Sequence, residues 1–165
     1  MRRIILGLFL VCSVLCLSSC FKVGHTEYID ILQLNVEEPD KVYKVGDTVK
    51  FTITGTLDTN LYSKYSVDVG ASYNKDAKKE IQFAIPIAGD KFTYYLNSGN
   101  EIEVNGHELE YKFIDGRIYT FNDKFEFTIE EPGYYYLGIG MVGLDAHDSF
   151  IDYNGCKNFN FTVTE

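Results

Sequence analysis

The stretch Lys124-Phe125-Glu126-Phe127-Thr128-Ile129-Glu130-Glu131-Pro132-Gly133-Tyr134-Tyr135-Tyr136-Leu137-Gly138-Ile139 decides how this chain folds. Phe125, Phe127 and Ile129 alternate with Lys124, Glu126, Thr128 and Glu130. A period of two sends successive side chains to opposite faces of an extended backbone, so these residues read as a strand with one buried face. Pro132-Gly133 then turns the chain. Tyr135, Leu137 and Ile139 resume the apolar phase on a second strand. Strands that are apolar on one side only must cover that side with another layer.

The same alternation recurs along most of the chain. Val49, Phe51 and Ile53 are set against Lys50, Thr52 and Thr54; Leu109, Tyr111 and Phe113 against Glu108, Glu110 and Lys112; Phe159, Phe161 and Val163 against Asn158, Asn160, Thr162 and Thr164. Asn105-Gly106 and Asp115-Gly116 fall between alternating runs and predict tight hairpins, because both residues of a type I′ turn need positive φ. Gly46-Asp47 and Ser98-Gly99-Asn100 mark further turns. Pro86 would leave a ladder hydrogen bond unmade in a central strand, which predicts an edge or a strand end there. Candidate strands fall at about 27–36, 48–55, 62–73, 80–88, 91–97, 101–104, 108–114, 117–121, 124–130, 134–142 and 157–164, merging to eight or nine. An all-β, antiparallel β-sandwich is expected, with a closed barrel as the lesser alternative.

The N-terminus follows other rules. Arg2 and Arg3 precede an apolar run from Ile4 to Leu17, which is 17 − 4 + 1 = 14 residues, and Ser18 and Ser19 follow. A spanning helix needs about 20 apolar residues, so this pattern suits a signal peptide. Leu17-Ser18-Ser19-Cys20 resembles the bacterial lipobox, in which an aliphatic residue and two small ones precede a cysteine. The resemblance implies a diacylglycerol thioether on the Cys20 sulfur, cleavage before Cys20, and a further acyl chain on the amine so freed. Acyl burial at about 0.8 kcal/mol per CH₂ would then hold the protein to a membrane without a spanning segment. The expected organisation is a lipoprotein signal peptide at 1–19, a lipidated N-terminus and short linker at 20–26, and one domain at 27–165.

Processing changes the charge and the cysteine count. The whole chain of 165 residues carries −9, and residues 1–19 hold two bases and no acid, so residues 20–165 carry 13 − 24 = −11. That acidity offers no footprint for nucleic acid. Of the four cysteines, Cys12 and Cys16 leave with the signal peptide and Cys20 is acylated. Cys156 then has no partner in the chain and is read as a small half-buried hydrophobe.

Two stretches carry a family likeness. Val42-Tyr43-Lys44-Val45-Gly46-Asp47-Thr48-Val49 resembles the turn into the second strand of many bacterial immunoglobulin-like domains, and the run from Phe127 to Tyr136 is similar to their late corner. There a tyrosine bonds back to the corner backbone, and Tyr135 is in phase for that role. The whole chain resembles small Bacteroidota lipoproteins with a lipobox, a short linker and an immunoglobulin-like domain rich in Tyr, Asn and Phe. That resemblance implies the cell envelope, at the outer membrane, on its periplasmic or outer face.

The chemistry-bearing residues point to binding. His25, His107 and His147 share no spacing, and the sequence has no HExxH, G-x-S-x-G, CxxC or phosphate-cradling glycine loop, so no enzyme is expected. The loop from Asp145 to Asn154 gathers oxygen donors in Asp145, Asp148, Asp152 and Asn154, with His147 among them. Ca²⁺ takes 6 to 8 oxygens, so these four are candidate ligands, although Phe150 and the lack of a closing glutamate depart from an EF-hand. The alternative is a solvated connection between the last two strands. Adjacent rings must point to opposite faces of a strand, so Tyr94 with Tyr95 and the triplet Tyr134 to Tyr136 each expose at least one ring. Tyr134 and Tyr136, together with Tyr94 and Tyr95, are candidate contacts for an envelope protein or a neutral glycan. The expected function is that of a lipid-anchored, non-catalytic binding or assembly module, with glycan binding as the alternative.

Overall fold

A computed structural model describes residues 32–61, 64–76, 83–144, 150–152 and 157–165. Among these residues the strands are β1 (Leu32–Val36), β2 (Tyr43–Lys44), β3 (Thr48–Asp58), β4 (Lys64–Asn74), β5 (Ile85–Pro86), β6 (Phe92–Tyr95), β7 (Glu101–Asn105), β8 (Glu108–Lys112), β9 (Ile118–Thr128), β10 (Gly133–Leu144), β11 (Phe150–Asp152) and β12 (Lys157–Thr164). They form two sheets. The first has the order β1-β3-β9-β6; the second runs β2-β12-β10-β4-β8-β7, with β5 on β4 and β11 on β10. Pairing is antiparallel throughout except between β2 and β12.

This is an immunoglobulin-like sandwich. Strands β1, β3, β9 and β6 occupy the places of A, B, E and D in that fold, and β12, β10 and β4 those of G, F and C. The β7–β8 hairpin extends the second sheet beyond β4, but it enters the chain between β6 and β9. Between the sheets lie Val49, Phe51 and Ile53 of β3, Phe121, Phe125 and Phe127 of β9, Val67 and Val69 of β4, and Leu137 and Ile139 of β10, all buried. Of these, Val49, Phe51, Ile53, Phe125, Phe127, Leu137 and Ile139 are the positions that the alternation assigned to the core. Tyr135 is buried with them, stacks on Tyr73 at 5.2 Å, and its hydroxyl donates to the Glu131 carbonyl at 2.7 Å. The corner tyrosine is therefore in place, and burial pushes its phenol up to about 12.

Two expectations are corrected. Runs 117–121 and 124–130 are one strand, β9, because Asp123 keeps the apolar phase and points inward. A lone buried carboxylate is costly, so alternation argues for a break there. The fold satisfies it instead. Asp123 accepts from the Ser98 N–H at 3.0 Å, the Ser98 hydroxyl at 2.6 Å, the Asn100 amide at 3.3 Å and the Tyr111 hydroxyl at 3.0 Å.

The second correction concerns Asp115-Gly116. Gly116 has φ +79, but β8 and β9 do not pair: β8 joins β4 and β7 in the second sheet, while β9 joins β3 and β6 in the first. Tyr111 and Phe121 meet edge to face at 4.9 Å across the core, each from a different sheet. Asn105-Gly106 does close the β7–β8 hairpin, with Asn105 opposite Glu108 and φ +65 at Gly106. Strand β2 is a two-residue strand beside β12, too short for alternation to register. Pro86 lies on β5, which adds to the end of β4 opposite Ser72, as its missing N–H requires.

Candidate functional site

The outward face of the second sheet is built around β10. Because Tyr135, Leu137 and Ile139 point inward, Tyr134, Tyr136, Gly138 and Gly140 point outward. The register sets Tyr136 between Ser72 and Asn160, Gly138 between Gly70 and Asn158, and Gly140 beside Asp68. Tyr134 and Tyr136 are half-buried and lie edge to face, with ring centroids 5.1 Å apart and planes at 74°. Beyond them the floor drops. Gly70 and Gly138 pair without side chains, leaving a shallow cleft rimmed by Tyr136, Asn158, His107, Glu108 and Pro86. The Asn158 amide lies over Gly138, where an added Cβ would come within 2.7 Å of its oxygen.

Acidic side chains continue this face toward the β7 edge. Asp68 pairs with Glu110, and Glu110 with Glu103, so one row crosses three strands. Burial, and then the charges of Glu108 and Glu110, push the Asp68 carboxyl up to about 6. The Lys112 amine reaches Glu103 at 3.3 Å, and His107 Nε2 lies 3.7 Å from Glu108. The surface thus offers aromatic rings, an amide and carboxylates over a recess of backbone, which suits recognition of a polar ligand or a protein surface.

The other expected residues are placed elsewhere. Tyr94 turns toward the core, 6.2 Å from Phe125, whereas Tyr95 is 55% exposed on the outer side of β6. Both belong to the first sheet, so neither joins Tyr134 and Tyr136 in one site. Asp145, Asp148 and Asn154 lie outside the described residues, as do His147, Cys156, Cys20 and the signal peptide. Asp152 is on β11, with its backbone opposite Gly143. Among the described residues, no group of three His, Cys, Asp or Glu side chains is placed to hold a metal ion. Sequence reasoning missed Asp68, Gly70, Glu108 and Glu110 as members of the face. Their out-of-phase positions beside Val67, Val69, Leu109 and Tyr111 were a signal that they point outward. Nothing local in the chain says that β4 and β8 are neighbours.

No protein-family model and no curated protein matches the chain. Solved structures resemble it in architecture. A cohesin module from a Clostridium perfringens family 33 glycoside hydrolase is 12% identical with a TM-score of 0.41, covering 82% of this chain and 98% of that one. The reeler domain of human F-spondin is 16% identical with a TM-score of 0.45, covering 87% and 100%. The major pilin subunit of Bacillus cereus is 11% identical with a TM-score of 0.38, covering 80% and 40%. The likeness is one of fold alone.

Proposed function

We propose that this protein is a lipid-anchored module of the bacterial cell envelope that binds or assembles with another envelope protein, without catalysis, through the outer face of its second sheet. The observation that carries the reading is the Tyr134–Tyr136 pair beside the Gly70–Gly138 recess: two large rings, 5.1 Å apart, on the central strand of an eight-stranded sheet. Tyrosine brings large contact area and a polar tip at low entropic cost, which is why it recurs at interfaces. The lipobox at Leu17 to Cys20 supports the anchor, and with it a place at the outer membrane.

A glycan is the second reading. It is favoured by the recess itself, where Tyr136 faces Asn158 and Glu108, a ring with hydrogen-bonding groups around it. The Tyr134→Ser/Tyr136→Ser variant tests the site, since both rings point away from the core. Photo-crosslinking from position 72 in cells should capture one envelope protein in the wild type and lose it in the variant. A glycan array separates the readings: a sugar bound by the wild type and lost in the variant favours the glycan. Retention of all binding by the variant moves the site elsewhere. Labelled palmitate taken up by the wild type and not by Cys20→Ala supports the anchor, and label on Cys20→Ala refutes it.

A further inference from the structure

The turn between β8 and β9 carries two isoleucines that the core does not use. Ile114 is 56% exposed and Ile118 66% exposed, on either side of Asp115-Gly116-Arg117. Connections favour small polar residues, so a pair of bare β-branched side chains on one tip is unexpected. The tip is also rigidly held. Buried Thr59 accepts from the Arg117 N–H at 2.9 Å through its hydroxyl oxygen, and its own N–H donates to the Arg117 carbonyl at 3.0 Å. The Tyr65 hydroxyl donates to Asp115 at 2.8 Å, and the Ile114 N–H donates to the Tyr119 hydroxyl. Residues from β4, β9 and the Thr59 turn thus present the isoleucines as a fixed apolar wedge.

The wedge lies at the end of the sandwich where the described chain begins. Ile118 pairs with Asp58 at the end of β3, and Leu32 pairs with Gly55, three residues before it. Running backward from Leu32, β1 heads toward the Ile114–Ile118 tip. Twelve residue steps separate Leu32 from Cys20, a reach of about 40 Å at full extension. To rest the opposite end on a bilayer, that segment would have to double back past Gly55 to Thr48, 55 − 48 = 7 residues of β3 or about 23 Å, whereas the tip lies directly ahead of it. Charge agrees with the same end. Asp58 beside Ile118, Asp115 and Arg117 sum to −1 at the tip, whereas residues 20–165 carry 13 − 24 = −11, so little of the domain's negative charge stands where it would approach lipid.

We infer that Ile114 and Ile118 insert into the headgroup and upper acyl region of the bilayer that holds the N-terminus, fixing the domain upright with its second sheet standing off the membrane. This inference rests on the lipid-anchored reading. The chain contains no tryptophan, so a single introduced one reports its own depth. Ile118→Trp and Val42→Trp would be made in the lipidated protein; Val42 is 73% exposed and sits at the opposite end. Each variant is checked for native circular dichroism and reconstituted in phosphatidylcholine vesicles with and without brominated acyl chains.

The expected result is flotation of both variants with vesicles, with a blue-shifted emission quenched by bromine for Ile118→Trp alone. Adding Ile114→Ser should reduce that quenching. Flotation with no quenching at position 118, or with quenching at position 42 instead, overturns the inference and leaves the anchor standing. Failure to float refutes the anchor, and the inference with it. A blue shift of the Ile118→Trp variant that grows with protein concentration in the absence of lipid assigns the wedge to a second copy, and also overturns it.

Discussion

Tyr111→Phe should cost the domain about 2 kcal/mol, although it removes a single oxygen from a ring that keeps its other contacts. The Tyr111 ring packs edge to face on Phe121 at 4.9 Å and on Phe125 at 6.4 Å, and neither contact uses the hydroxyl. That hydroxyl donates to Asp123 at 3.0 Å in a buried bond between strands of opposite sheets. Burial, then the Asp123 charge, hold the phenol well above its ordinary pKa, so it remains a donor. Hydrogen bonds to charged groups contribute roughly 1.5 to 3 kcal/mol. In the variant Asp123 keeps its Ser98 and Asn100 donors, so the loss is that of one bond and not of an orphaned charge. Asp123→Ala should cost more, about 3 to 5 kcal/mol, because it strands the Tyr111 hydroxyl and the Ser98 N–H together. Urea unfolding followed by circular dichroism, on both single variants and the double, gives the coupling; about 1.5 kcal/mol or more is expected. At roughly 2 to 4 °C per kcal/mol, Tyr111→Phe should lower Tm by about 6 °C. A Tyr111→Phe variant within about 0.5 kcal/mol of wild type, or a coupling near zero, would refute the reasoning.

Two further outcomes follow from the same sandwich. Gly133→Ala should destabilise by about 2 kcal/mol or more, since φ there is +152 and the new Cβ would lie 2.5 Å from the Asn74 carbonyl oxygen; unchanged urea unfolding would contradict this. Asp68→Asn should stabilise at neutral pH. The folded carboxyl titrates at about 6 against an ordinary 3.8, so the native state binds the proton more tightly and stability falls as pH rises through that window. The variant's advantage in Tm should therefore grow between about pH 4 and pH 7 and vanish below it, and a constant difference across that range would count against the burial of Asp68.

Much of this architecture is legible in alternation because each strand meets solvent on one side. Val49, Phe51 and Ile53, or Leu137 and Ile139, announce their faces with no knowledge of their neighbours. Alternation misled at Asp123, where an inward carboxylate looks like a break unless its donors are known, and those come from the turn at Ser98 and Asn100. It also misled at Asp115-Gly116, where a hairpin signature closes a crossing between sheets. The tyrosines show the same limit. Tyr94-Tyr95 and Tyr134 to Tyr136 were equally readable as exposing a ring, but only strand order places them on opposite layers.

Local pattern in the chain thus suffices for which apolar side chains face inward, for the corner tyrosine and for the antiparallel sandwich class. These are properties of neighbouring residues, set by the two-residue period of an extended chain and by the φ angles glycine allows. Tertiary structure alone decided that β4 lies between β10 and β8, and so that Asp68, Gly70, Glu108 and Glu110 share one face with Tyr136. It also decided that Ile114 and Ile118 form a held tip at the end where β1 begins. Such groupings join residues tens of positions apart. Their energy lies in packing and hydrogen bonds between strands, which no local pattern in the chain encodes.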